Sequence, residues 1–420
     1  MSKTRPALSS TQRGRGKPSW IRAWKPGPGM LVTAAFVGPG TIATASAAGA
    51  GFGYALLWAL LFSVVATMVL QEMSVRQAVV SGQGLSAMLR TALADSWLGR
   101  LTILLVIAAI GLGNAAYESG NIAGAALALD SVSAIPPQIW TLAIGAAAAV
   151  LLFLPVYRQL ERVLIALVLL MSIVFVSSAV LLAPAWSEIA TGLFVPSLPS
   201  GSITTVIALI GTTVVPYNLF LQANAVRDRW AAETDRNAAL TAARRDTFLS
   251  VGLGGIVTLA ILSAAAVTFF TQAEAFSSAR LVTQLDPVLG SWGRYVFATG
   301  LFAAGLTSAV TAPLAAGYAV SGALGVDDSH RGKIFRIVAL TVVLTGTFFA
   351  TLGARPLSLI LFAQAANGLL LPIIAAILLW LMNQHRYVKG AANGWASNLL
   401  GLCVLLITLG LGINKLMSLF

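Results

Sequence analysis

From Met30 to about Gly53 the chain is apolar for the length of a membrane span, yet Gly38-Pro39-Gly40-Thr41 sits in the middle of it. A helix cannot run unbroken through that core. Pro39 lacks an N–H and clashes with the preceding turn, and the glycines on either side weaken helix propensity further. Inside a bilayer the backbone groups freed by such a break have no water to turn to, so they must meet protein or line a cavity. A second break follows at Val215-Pro216-Tyr217-Asn218. Interrupted apolar segments at matching positions of two halves mark the substrate site in secondary transporters. Taken singly, each is also compatible with a proline kink filled by neighbouring helices.

The rest of the composition agrees with a polytopic membrane protein. Apolar residues make up 58% of the 420 and charged residues 10%, far from the balance of a soluble domain. Spans of roughly 20 residues leave room for about eleven helices. The single cysteine, Cys403, excludes an intrachain disulfide and a cysteine-based metal cluster, and is expected as a small core residue. The net charge of +12 is explained by where the basic residues sit, not by nucleic acid. Residues 1–29 carry Lys3, Arg5, Arg13, Arg15, Lys17, Arg22 and Lys25 without an acid, and read as a disordered cytoplasmic arm that meets anionic lipid. It lacks a cleavage site before a full apolar span, so it is not a signal peptide.

The expected spans, numbered here 1 to 11, are 30–52, 54–78, 101–130, 138–157, 162–184, 202–227, 246–271, 294–325, 334–353, 356–383 and 395–416. With the N-terminus inside, the outer side receives only Arg280, Arg294, Arg355 and Lys415 of the 26 basic residues. That asymmetry is the positive-inside rule; it places the chain in the plasma (inner) membrane with the C-terminus outside. Spans 1 and 6 are the broken ones and run in opposite directions. The pattern is therefore two inverted five-helix repeats, 30–184 and 202–383, followed by the extra helix 395–416. No catalytic or nucleotide-binding motif lies in the loops, which points away from an enzyme and an ATP-driven pump.

The segments Gly29-Met30-Leu31, Pro39-Gly40, Thr212 to Leu219, Ala303 to Ser308, and Gln364 ahead of Leu371-Pro372 resemble, in this order, the Nramp family of proton-coupled divalent-metal transporters. The resemblance runs from about Met30 to Lys415. It implies an all-α membrane protein with a LeuT-type fold and a substrate site at the two breaks. It also implies residue roles: Gly38, Gly40, Thr41, Val214, Val215, Tyr217, Asn218 and Gln364 at the substrate, and Glu118 and Asn121 at the family's proton-transfer positions. The departures fall on the ligands. The family's Asp-Pro-Gly-Asn reads Gly38-Pro39-Gly40-Thr41 here, its span-6 methionine is Val215, the nearby histidine is Tyr217, and a further histidine position is Gln222.

Transition metals favour imidazole and sulfur, with carboxylate suiting the harder ions, and the breaks offer only hydroxyls, an amide and freed carbonyls. A bare divalent cation without a compensating charge is costly at low dielectric. Half-helices that begin near Thr41 and Asn218 instead present positive ends to the gap. The cargo classes left open are a small organic or anionic solute, a hard and partly hydrated ion such as Mg²⁺, and, third, a relative that does not transport at all. No cofactor is expected beyond a coupling H⁺ or Na⁺. The partners are the lipid bilayer and a small solute or ion, with no nucleic acid; a monomer is compatible with the sequence.

Other residues carry two readings each. Glu118 is an intramembrane acid beside Tyr117, Asn114 and Asn121, suited to a proton relay or to a buried structural hydrogen bond. Thr307 and Ser308 suit Na⁺ coordination or, better, close packing of small residues. Glu72 and Arg76, four apart, suit a gate or an interfacial ion pair. His330 and His385 fall in expected loops, and Trp58, Trp140, Trp186 and Trp395 near span ends, as an aromatic belt requires.

Overall fold

Proline decides where two of the membrane helices begin. The computed structural model describes residues 37–93, 96–154, 157–230, 233, 235–270, 276–326, 332–352, 355–388 and 390–417. The first described helix, α1 (Pro39–Phe52), starts with Pro39 in its first turn and with Gly38 as an extended N-cap, φ −86° and ψ −179°. The sixth span is split into α8 (Ile203–Thr213) and α9 (Pro216–Trp230), with Val214 at φ −94°, ψ 72° between them. At the start of a helix a missing N–H costs nothing, because that donor has no intrahelical acceptor in any case. The arm at 1–29, the first part of span 1, and His330 lie outside the described residues.

The remaining spans are α2 (Leu57–Ser81), α4 (Trp97–Asp130), α5 (Pro137–Leu151), α6 (Tyr157–Leu181), α10 (Arg236–Ala265), α13 (Trp292–Leu324), α14 (Lys333–Leu352), α15 (Pro356–Met382) and α17 (Trp395–Met417). Between them lie the short helices α3 (Leu85–Leu93), α7 (Trp186–Phe194), α11 (Ser278–Val282), α12 (Asp286–Leu289) and α16 (His385–Val388). Among the described residues nine helices are long and apolar enough to cross a membrane, and Pro137–Leu151 is a shorter apolar one. Together with α1 these occupy the eleven expected spans. Lipid-facing side chains such as Leu112, Phe348 and Phe362 stay largely exposed in the isolated chain. The apolar stripe of a soluble helix is lost because both the core and the lipid want apolar groups.

α4, α8, α13 and α15 form the centre. Gly211 of α8 meets the backbone of α15 so closely that a Cβ would overlap the Gln364 carbonyl oxygen and lie 2.5 Å from the Gly368 nitrogen. Gly305 of α13 sits in the same way on Ala125 of α4. In lipid, contacts of this kind drive helix association, because apolar side chains gain little by leaving one apolar phase for another.

Two features differ from the sequence reading. Cys403 is exposed on α17, not in the core, because α17 packs on the bundle with one side and turns Leu402, Cys403 and Leu406 outward. Span 7 begins at Arg236 instead of near 246. Asp235 caps it, its side chain accepting from the Asn237 and Ala238 amides at 3.0 Å. The added turns are polar and carry α10 past the apolar stretch, so hydropathy alone missed them.

Gly211→Ala is expected to lower the melting temperature of the detergent-solubilised protein, at a cost of about 1–3 kcal/mol for overpacking against backbone that cannot swing aside. An unchanged melting curve would show that α8 and α15 have room to separate.

Candidate functional site

The two breaks meet through a pair of threonines. Thr41, in the first turn of α1, and Thr212, in the last turn of α8, place their hydroxyl oxygens 2.9 Å apart, and both residues are fully buried. Next to them the Thr67 hydroxyl of α2 lies 3.2 Å from the Thr213 carbonyl and 2.7 Å from the Ser63 carbonyl. One of the last carbonyls of α8, orphaned by the break, therefore finds a hydroxyl instead of lipid. The Gln364 carboxamide of α15 lies directly on Gly40, where any Cβ would collide with it. A side chain at residue 40 would have to displace the Gln364 carboxamide.

Beyond the break, Tyr217 in the first turn of α9 meets Tyr117 of α4 edge-on, with ring centroids 5.2 Å apart. Val214, Val215 and Asn218 are buried with it. Neither tyrosine hydroxyl, neither polar atom of the Asn218 side chain, nor Gln364 Oε1 has a hydrogen-bond partner in the protein. Buried groups in that condition are uncommon and call for an explanation. Of the sequence-derived site residues, Gly38, Gly40, Thr41, Val214, Val215, Tyr217, Asn218 and Gln364 thus all lie at the breaks. Thr212 and Thr67 join them without having been singled out. Thr212 stands in the same segment as Pro216 and carries a hydroxyl one turn before it; nothing in the sequence around Thr67 points to the site.

Glu118 and Asn121 stand apart from this group. Asn121 Nδ2 donates to Glu118 Oε2 at 3.3 Å, Glu118 Oε1 has no partner, and the Glu118 side chain rests on Gly346 of α14. Thr307 and Ser308 are buried in α13. Thr307 donates to the Ala303 carbonyl within its own helix, at 2.8 Å, while the Ser308 hydroxyl has no partner. Thr307 is thereby spent on its own backbone.

Away from the breaks, each end of α2 is fastened. Near its last turns Glu72 pairs with Arg76 at 3.0 Å and with Arg244 of α10 at 2.7 Å. Arg76 also donates to the Ala391 and Ala392 carbonyls and to Asn393 Oδ1, at 2.7, 3.0 and 2.7 Å. The pair expected from four-residue spacing is therefore a node that ties α2, α10 and the segment before α17. At the start of α2, Trp58 Nε1 donates to the Ser197 carbonyl at 2.8 Å. In the middle of α1, Ser46 donates to Gln284 Oε1 at 2.5 Å, and Gln284 donates to the Ile261 carbonyl at 2.7 Å.

What gathers at the breaks is neutral: hydroxyls, carboxamides and two phenols. Such a set binds by hydrogen bonds and supplies no ligand charge. Among the described residues no three His, Cys, Asp or Glu side chains come together as metal ligands. The ends of α1 and α9 that point at the gap are N-termini without an acidic residue in the first turn, so their positive ends are not offset.

Comparison with known proteins fits this architecture. A manganese transporter from Eremococcus coleocola superposes with a TM-score of 0.79 at 21% identity, over 96% of this chain and 88% of that one. Mhp1, a nucleobase-cation-symport-1 family transporter, superposes with a TM-score of 0.55 at 14% identity, over 94% of each chain; both likenesses concern the fold, which is LeuT-type. In sequence, a divalent metal cation transporter MntH from Acidiphilium cryptum is 27% identical over 403 residues, which is 92% of this chain and 91% of that protein. The natural resistance-associated macrophage protein-like family profile matches residues 29–418. With that match spanning the helices described above, the chain belongs to the Nramp family of membrane transporters.

Proposed function

We propose that this chain is a secondary active transporter for a small uncharged or anionic organic solute, not an ordinary Mn²⁺ or Fe²⁺ carrier. The observation that carries the reading is the chemistry of the breaks. Gly38, Thr41 and Val215 occupy the positions where the family resemblance implies Asp, Asn and Met, and the groups brought there are hydroxyls and amides. A dehydrated divalent ion in that setting lacks the opposite charge that makes burial tolerable. Two uncapped helix N-termini favour the opposite sign.

One observation favours a second reading. The relatives in sequence are named divalent metal cation transporters, and a hard ion such as Mg²⁺ keeps several waters and asks less of protein side chains. In either case the distribution of basic residues supports a reading with the N-terminus on the cytoplasmic side of the plasma membrane and the C-terminus outside. H⁺ or Na⁺ is the coupling ion. Glu118, buried with one carboxylate oxygen unused, is the group suited to carry a proton.

In proteoliposomes, Mn²⁺ and Fe²⁺ uptake is expected to match that of protein-free vesicles. Saturable micromolar Mn²⁺ uptake would refute the organic-solute reading. Gly38→Asp separates the two readings by sign. An aspartate at that N-cap neutralises the end of α1 and caps it, so native transport of an anion is lost, whereas improved Mg²⁺ or Mn²⁺ binding by calorimetry would favour the metal reading.

Glu118→Gln keeps the shape and the Asn121 contact but cannot release a proton. The variant is expected to fold normally and to lose transport driven by a pH gradient. Unchanged pH dependence would leave Glu118 a structural residue.

A further inference from the structure

Four buried polar side chains on three adjoining helices lie beside the breaks and leave hydrogen-bonding capacity unused. Asn114 and Tyr117 share a face of α4, three residues apart. Asn367 lies nearly one turn beyond Gln364 on α15, and Tyr217 opens α9. The Tyr117 and Tyr217 rings touch at 5.2 Å. The Asn367 carboxamide faces α4, since a Cβ on Gly113 would stand 3.7 Å from its Oδ1. None of the four is more than 2% exposed. The Nδ2 atoms of both asparagines have no partner in the protein, and the two tyrosine hydroxyls, which lie within reach of each other, make no hydrogen bond of ordinary geometry.

A single unpaired donor in a bundle is an accident of packing. Four on facing helices are a site, because leaving buried donors unmade is expensive and folded proteins avoid it. Each of the four groups is neutral and can donate, and the asparagine Nδ2 atoms can only donate. Such a set suits oxygen acceptors on a ligand and offers a cation nothing that its own water does not supply better. Glu118 rests on Gly346 of α14 and on Asn121, close enough to both tyrosines for its charge to be felt by them, so it must be protonated when a carboxylate occupies the subsite.

We infer that Asn114, Tyr117, Tyr217 and Asn367 form a hydrogen-bonding subsite for carboxylate or carbonyl oxygens of the transported solute, about one helical turn from Gln364. With the N-terminus inside, α15 runs inward and α4 outward, so the subsite lies on the cytoplasmic side of the breaks. The solute passes from the helix ends at Gly40 and Thr41 to these donors on its way through. The inference rests on the organic-solute reading above.

The test uses the purified full-length protein with sodium lactate and acetamide as probes, read by thermal shift. At least one probe is expected to raise the wild-type melting temperature. Tyr117→Phe and Tyr217→Phe, which remove only an oxygen, are expected to keep the probe-free melting temperature, since they delete an unsatisfied group. Each should weaken the probe's apparent affinity by about three- to tenfold, the worth of one hydrogen bond. Asn367→Leu should act in the same direction. Three results overturn the subsite: no wild-type shift with either probe, probe affinity unchanged in the variants, or a fall in their probe-free melting temperature, which marks the hydroxyls as structural. Mn²⁺ uptake measured on the same preparations keeps the two claims apart. Saturable wild-type uptake refutes the transport reading itself; its absence, with probe binding intact in Tyr117→Phe, refutes the subsite alone.

Discussion

The hydroxyl contact between Thr41 and Thr212 is where the two helix breaks are joined. Everything around it follows from the need to end two helices in the middle of a bilayer. A helix end exposes unpaired N–H and C=O groups, and lipid satisfies none of them. The broken segments therefore have to be enclosed by others, and α2, α4, α13 and α15 supply the enclosure. Gly40 and Gly211 let α15 come close enough for Gln364 to reach the break. Thr67 takes up a carbonyl that the break releases. The small residues of the central helices are thus tied to the site as much as to stability.

The electrostatics of the site are set by what has been removed. At the N-cap of α1 glycine gives no oxygen to the first turn, and the first turn of α9 has no acid. Both helices direct an uncompensated positive end at a neutral lining. The protein's strong charge pairing lies elsewhere, where Glu72 is shared by Arg76 and Arg244. That node also holds the backbone ahead of α17. Its bonds cross from α2 to two other parts of the chain, so any motion separating those parts must break charge-assisted hydrogen bonds together. The segment that leads into α17 is thereby fastened to α2.

Much of this was legible in the chain. Pro39 and Pro216 fixed both breaks, because proline's missing N–H admits few places in a helix. The apolar run lengths fixed the spans, and the four-residue spacing of Glu72 and Arg76 foretold their pairing. Cys403 was misplaced because hydropathy does not tell a lipid-facing side from a core-facing side. The start of α10 was missed because a helix that extends past the apolar region leaves no hydropathy signal.

The sequence by itself determined that this protein crosses the membrane many times, that two of its helices are interrupted, and that Gly38, Thr41 and Val215, none of them charged, stand at the interruptions. These follow from local chemistry: apolar length, proline geometry and residue identity. Only the tertiary structure decided that Thr41 meets Thr212, that Tyr117 meets Tyr217, and that Asn114 and Asn367 face the same place with their amides unpaired. Those contacts join residues far apart in the chain. Their geometry depends on how closely glycine-bearing helices approach, and no periodicity in one helix records the face of another.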